Sequence, residues 1–314
     1  MIPEFGHIPL LDEPIPAYFA MMMVAFVVTI GIGVRWAKQS GLDHEVVIDL
    51  GLASLIWGVA GARILHVFVD GYFWDYVHLC TDPAQVSWQI TQAQCAHPDV
   101  NGIWDAAARV CHPREGDCFA WAKFWQGGLV WYGGLLGATA YDMYFLRKNK
   151  FPIGKTIDMA GMVLPLGVFF GRLGCWFGGC CYGLQSDHWS AVSFPPWSPA
   201  SEAQYRAGIL STPGTWSQAV LPTQLYEAIG CLAIAAFCMF AVHPRKRFDG
   251  QVFCVSMILY ALVRFGLEIV RDDDRGIFLG VSTSQWIALA FVGVMAWLWL
   301  FMQRRAKAAL APAG

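Results

Sequence analysis

The chain has 314 residues, of which 56% are hydrophobic and only 14% charged, with a formal net charge of -2. A soluble domain carries about 25% charged residues, so this composition argues for a bilayer and against a soluble globular chain. The near-neutral balance also argues against a nucleic-acid partner.

In chain order, the N-terminus MIPEFGHIPLLDEPIPAYFA has no basic n-region and no small-residue cleavage site. The first span is therefore expected to be retained. Seven apolar segments of about 18–25 residues are long enough to cross a membrane. They lie at roughly 15–34, 47–69, 128–146, 153–178, 222–242, 251–270 and 282–302. Every odd-numbered exit is basic: Arg35 and Lys38, then Arg147, Lys148 and Lys150, then Arg245, Lys246 and Arg247, then Arg304, Arg305 and Lys307. By the positive-inside bias these joints are cytoplasmic. The expected fold is all-α: one polytopic domain over 1–314, seven transmembrane helices, N-terminus outside and C-terminus inside. The tail after residue 307 is expected to be disordered.

Two long extracytoplasmic segments follow from this order, 70–127 and 184–221. The first holds Cys80, Cys95, Cys111 and Cys118. Four cysteines in an oxidising space predict two disulfides, with three pairings open. A metal is not expected there, because the spacing lacks a C-x-x-C pair, and the chain is read as needing no cofactor. Cys231, Cys238 and Cys254 lie within spans and read as small packing residues.

Helix rise turns sequence position into depth. Arg63, Arg172 and Arg264 each fall a little before the outer end of an outward-running span, roughly 10 Å below the surface. Charges at such depth are costly and usually functional. A guanidinium fork grips phosphate bidentately, so the three arginines predict a cavity for a phospholipid headgroup. Tyr260, Arg264 and Glu268 are four apart and share one helical face. Glu268 then either neutralises Arg264 or fixes it for the phosphate. Arg271 follows, then Asp272, Asp273, Asp274 and Arg275, read as a solvated turn. The glycines of GGLVWYGGLLG at 127–137 allow close helix packing or leave room for a ligand, and Tyr132 lies among them. LPTQLYE at 221–227 reads as a capped helix start with Pro at its first turn. The densest stretch is GRLGCWFGGCCYG at 171–183, which sets Cys175, Cys180 and Cys181 beside Arg172.

These residues resemble the prolipoprotein diacylglyceryl transferases over most of the chain. Tyr18 in PAYFAMMMVAFV matches the family's first-span tyrosine. GARILHVF at 61–68 matches its glycine–arginine segment, and GGLVWYGGLLG its GG…HGGLIG motif. GRLGCWFGGCCYG lies on GRxGNFxNGExxG, LPTQLYEA on HPSQLYEA, and YALVRFGLEIVR on YGxxRFxxEFxR. The resemblance implies transfer of the diacylglyceryl group of phosphatidylglycerol to the lipobox cysteine of a secreted prolipoprotein. This would take place at the outer leaflet of the bacterial inner membrane. It implies phosphate contacts for Arg172 and Arg264 and a catalytic place for Tyr132 and Tyr260. Arg63, Tyr18 and Glu268 are expected around the phospholipid. The motif histidine is Tyr132 here, the asparagine Cys175, the glutamate Cys180 and the histidine before Pro-Ser-Gln is Leu221. An unperturbed tyrosine, with a pKa near 10, is a weak base at neutral pH; His66, near Arg63, is a substitute candidate. Two alternatives follow: a paralogue with a different acceptor, or a non-catalytic lipid-binding or thiol-redox protein. The three cysteines read as reactive thiols near Arg172, as small packing residues, or as a Cys175–Cys180 disulfide.

Overall fold

The structure is a computed structural model that describes residues 4–7, 14–90, 92–96, 100, 102–123, 128–271, 277–278 and 280–310. Gly127 and the acidic cluster at 272–275 lie outside the described residues. The helices are α1 (Ala17–Gln39), α2 (His44–Val69), α3 (Phe73–Thr81), α4 (Gln92–Cys95), α5 (Trp131–Lys148), α6 (Ile153–Gly178), α7 (Pro199–Arg206), α8 (Thr223–Phe237), α9 (Gln251–Leu267) and α10 (Thr283–Leu310). Three short antiparallel ladders join them: β1 (Glu4–His7) with β2 (Pro14–Pro16), β3 (Gly102–Asp105) with β4 (Val110–Pro113), and β5 (Ile277–Phe278) with β6 (Val281–Ser282). The all-α expectation thus holds for the long elements and misses the ladders. Strands of two to four residues leave no legible alternation in a sequence.

Six helical segments are long and apolar enough to cross a membrane: Ala17–Gln39, His44–Val69, Ile153–Gly178, Thr223–Arg245, Gln251–Val270 and Thr283–Ala308. The seventh expected span is α5. It is helical, but its 18 residues include Asp142, Arg147 and Lys148, which puts it below the others in apolar character. The chain is a polytopic membrane protein. Its last helix runs through Leu310, so residues 308–310, expected in a disordered tail, are helical, and 311–314 lie outside the described residues.

The chain divides into two compact units: Met1–Val47 with Pro152–Gly314, and Ile48–Phe151. In the first unit, α1 packs along α6, and α8 and α9 pack against α6 and each other, with α10 on α9. One face of α8, Thr223, Gln224, Glu227, Ala228, Cys231, Ile234 and Ala235, is buried, the three-to-four spacing of a core-facing helix. Asp158 of α6 is fully buried. Its carboxylate accepts from the Val252 backbone N–H at 2.8 Å and meets Lys246 Nζ at 2.8 Å. A carboxylate at a helix start stabilises it through the free N–H groups and the helix dipole. The segment at 184–221 folds over the end of α6. Phe194, Ala200 and Val220 form a small core with Trp176 and Tyr182.

In the second unit, α2 and α5 approach backbone to backbone at Gly61 and Gly133. A Cβ on either would fall 2.4 Å from the other's carbonyl oxygen. The glycine motif therefore serves close helix packing here. The segment at 70–127 has its own core of Leu79, Val86 and Ala120. Disulfides Cys80–Cys118 and Cys95–Cys111 close it, selecting one of the three pairings. Cys231, Cys238 and Cys254 are buried free thiols, as expected for packing residues.

Candidate functional site

The site in the first unit is built at the end of α6. The helix stops because Gly179 takes a left-handed conformation, φ 71°. Its N–H donates to the Trp176 carbonyl, and the Cys180 N–H reaches back to the Cys175 carbonyl at 3.1 Å. This paired-bond stop places the side chain three residues before the cap beside the one that follows the glycine. Here those side chains are Cys175 and Cys180. Cys181 follows with φ 61°, a region that non-glycine residues enter at a cost. The turn is held from α8: Gln224 Nε2 donates to the Cys180 carbonyl at 2.7 Å and Thr223 Oγ1 to the Cys181 carbonyl at 2.9 Å. Both donors are buried. The three cysteines are free thiols, so the expected alternative of a Cys175–Cys180 disulfide is not found. Their sulfurs all lie within 4.8 Å of one another. Hydrogen bonds with the Cys175 and Cys180 thiols hold the Cys181 thiol well below the ordinary cysteine range, and Arg172 and Arg271 add to this. The same thiol contacts push Cys180 up.

Arg172 lies about a turn and a half before the end of α6. Its Nε meets Glu227 Oε2 at 3.0 Å. Tyr260 donates its hydroxyl to the other carboxylate oxygen, Oε1, at 3.2 Å. Glu227 is 1% exposed, so one buried carboxylate joins α6, α8 and α9. The contact with Glu227 is made through Nε rather than through the terminal nitrogens of the guanidinium. Tyr18 packs against Gly174 and lies within electrostatic range of Arg172 and the three cysteines. Gln224 Oε1 is buried with no hydrogen-bond partner among the described residues.

Arg264 pairs with Glu268 Oε2 at 3.0 Å, and the other oxygen of Glu268 accepts from Ser282 Oγ at 3.1 Å. Glu268 therefore neutralises Arg264. Of the three residues expected on one face, Arg264 and Glu268 pair with each other, and Tyr260 donates to Glu227 of α8. Glu227 and its neighbours Thr223 and Gln224 are the residues that sequence reasoning passed over. Their spacing of three and four was visible, but it matched any buried helix face.

Arg63 and Tyr132 belong to the second unit. Arg63 is buried, and its guanidinium donates to three backbone carbonyls: Trp121 at 2.7 Å, Ala120 at 2.6 Å and Gly128 at 3.2 Å. It also lies 5.2 Å from the Tyr76 ring centre. Arg63, expected at the phospholipid, braces the backbone at 120–121 and 128 through these carbonyls. His66 pairs with Asp70 at 3.1 Å and lines a cavity of about 660 Å³ with Arg63, Tyr76, Lys123 and Gly128. Tyr132 is largely exposed and meets Trp131 edge to face.

Half-buried arginines paired with carboxylates near the ends of apolar helices fit a polytopic membrane protein with a polar site among the helices of its first unit. Residues 7–94 and 109–301 match the prolipoprotein diacylglyceryl transferase family, and the chain belongs to that family. It is similar to the phosphatidylglycerol–prolipoprotein diacylglyceryl transferase of Symbiobacterium thermophilum, 28% identical over 293 residues, covering 92% of this chain and 90% of that protein. The protein of the same name from Dehalococcoides mccartyi is 26% identical over 294 residues, 93% and 91% of the two chains. That of Stenotrophomonas maltophilia is 32% identical over 199 residues, 59% and 64% of the two.

Proposed function

We propose that this protein transfers the diacylglyceryl group of phosphatidylglycerol to the lipobox cysteine thiol of a secreted prolipoprotein. The acceptor sulfur attacks the glyceryl carbon that carries the phosphate ester. The C–O bond breaks, a C–S thioether forms, and glycerol phosphate departs with the electron pair. The thiol proton leaves to a base or to the released phosphate. The single observation that supports this reading is Arg172, gripped by a buried carboxylate through Nε rather than through the terminal nitrogens of its guanidinium. A cation pre-positioned in a low-dielectric site stabilises the charge that grows on the leaving phosphate. Glu227 aligns Arg172 and Tyr260, and Arg264 with Glu268 adds a second held guanidinium. Tyr18 lines the same end of α6.

The orientation we infer is N-terminus outside and C-terminus inside, with α5 as a seventh span. The membrane is the bacterial inner membrane and the site faces the periplasm. The basic joints after α1, α5, α8 and α10 support this orientation. Tyr132 stands at the motif place of a histidine and is assigned to the acceptor thiol on that ground. Full transfer by Tyr132→Phe would remove its hydroxyl from the reaction. The decisive experiment reconstitutes the protein in phosphatidylglycerol vesicles with a lipobox peptide and follows thioether formation by mass spectrometry. Arg172→Ala is expected to lose transfer, and full activity in that variant ends the phosphate assignment. The changed motif positions Tyr132, Cys175 and Cys180 favour one other reading, a family member with a different acceptor. Rescue of a strain depleted of its own diacylglyceryl transferase counts against that reading.

A further inference from the structure

The thiol cluster has no part in the proposed transfer. Its geometry is nevertheless that of a ligand set. The glycine stop of α6 sets Cys175 beside Cys180, the strained backbone at Cys181 turns the next residue in the opposite sense, and all three sulfurs come within 4.8 Å of one another. A metal about 2.3 Å from each of three thiolates holds them about 4 Å apart, so closure on an ion needs movements of an ångström or less. The frame is fixed by Thr223 and Gln224 on the two carbonyls. One ligand is buried, one half-buried and one exposed, which leaves a way in from the Cys181 side. Among the described residues no further His, Cys, Asp or Glu joins the group.

The donor chemistry selects the ion. Three thiolates without imidazole or carboxylate favour soft cations. Structural zinc takes four ligands in a tetrahedron, and a fourth is missing here. A monovalent d10 ion is content with three sulfurs in a plane. The complex carries two negative charges, and Arg172 and Arg271 lie within electrostatic reach of Cys181 to offset them.

We propose that Cys175, Cys180 and Cys181 form a trigonal site for a soft monovalent cation, Cu(I) being the natural occupant. Binding forms three Cu–S bonds and releases the thiol protons to solvent, with no change of oxidation state. This inference goes beyond the transferase reading and does not rest on it.

The test uses the full-length protein in detergent, fully reduced and kept anaerobic. It is titrated with Cu(I) against a chromophoric chelator such as bicinchoninate. The expected result is one Cu(I) withdrawn per chain, a near-ultraviolet thiolate-to-copper band, and three sulfur neighbours by X-ray absorption. Cys181→Ser, at an exposed position, should weaken binding by more than the roughly 10–100-fold that loss of an outer-shell partner costs. Cys180→Ser is the second variant, and each is checked for an unchanged elution profile. Cys238→Ala, remote from the cluster, should bind Cu(I) as the parent does. Failure of the reduced parent to compete for Cu(I) overturns the proposal. So does binding that Cys181→Ser and Cys180→Ser leave intact, or a Zn(II) affinity above that for Cu(I).

Discussion

Glu227 is the residue on which the site of the first unit turns, and Glu227→Ala is the perturbation that tests it. Two groups lose their partner together: Arg172 Nε at 3.0 Å and the Tyr260 hydroxyl at 3.2 Å. Removing one member of a buried ion pair costs about 3–5 kcal/mol. The Arg172 side chain is 21% exposed, so water and lipid headgroups recover part of that, and about 2–3 kcal/mol remains after discounting for screening. If the same interaction aligns Arg172 in the transition state, kcat/KM for transfer falls roughly 30–160-fold. Glu227→Gln keeps both contacts in shape but drops the charge, and it should fall between the parent and Glu227→Ala. The assay is initial-rate transfer to a lipobox peptide across a series of phosphatidylglycerol contents, with thermal unfolding in detergent measured beside it. Parent-like kcat/KM and parent-like Tm in Glu227→Ala would refute the reasoning, because a carboxylate so buried cannot leave a guanidinium unpaired at no cost. A fall in Tm with unchanged kinetics would confine Glu227 to a structural role.

Three other predictions follow from named contacts. Arg172→Lys keeps the charge but loses the planar fork, so transfer should drop by roughly tenfold or more in the same vesicle assay; parent-like rates would mean that only charge matters there. Arg63→Ala should loosen the segment at 70–127 that it ties through backbone carbonyls, seen as faster limited proteolysis between residues 70 and 127, with the phosphatidylglycerol dependence of the remaining activity unchanged. The Lys123 side chain 2.5 Å away holds the Asp117 carboxyl below its ordinary range. Its contribution is therefore present above the unfolded carboxylate value, about 3.9, and is lost as pH falls through the lower folded value. Asp117→Asn should lower the stability of the segment at 70–127 at neutral pH and flatten its acid dependence, read by hydrogen exchange.

Much of the fold was legible because a membrane span is a local property. About 20 apolar residues in a row suffice, and six of the seven expected segments are helices of that kind. The seventh, α5, is helical but carries three charges in 18 residues, so its place needed more than hydropathy. The order of the motifs was equally local and led to the right family. The turn after Gly179 was half legible: the glycine and the cysteine spacing are in the sequence, while the left-handed backbone that gathers three sulfurs is not.

What tertiary structure alone decided is partnership across distance. Arg63, Arg172 and Arg264 look alike in sequence, each an arginine near the C-terminal end of an apolar helix. Their fates differ because their neighbours come from elsewhere: Arg63 meets carbonyls 57–65 positions away, Arg172 meets Glu227 of α8, and Arg264 its own Glu268. The pairing of four cysteines and the contact of Tyr260 with Glu227 are of the same kind. The apolar pattern determined which segments lie in the membrane. Which buried charge faces which was decided only when the helices packed, since a charge in a low-dielectric interior must find its partner wherever the fold brings one.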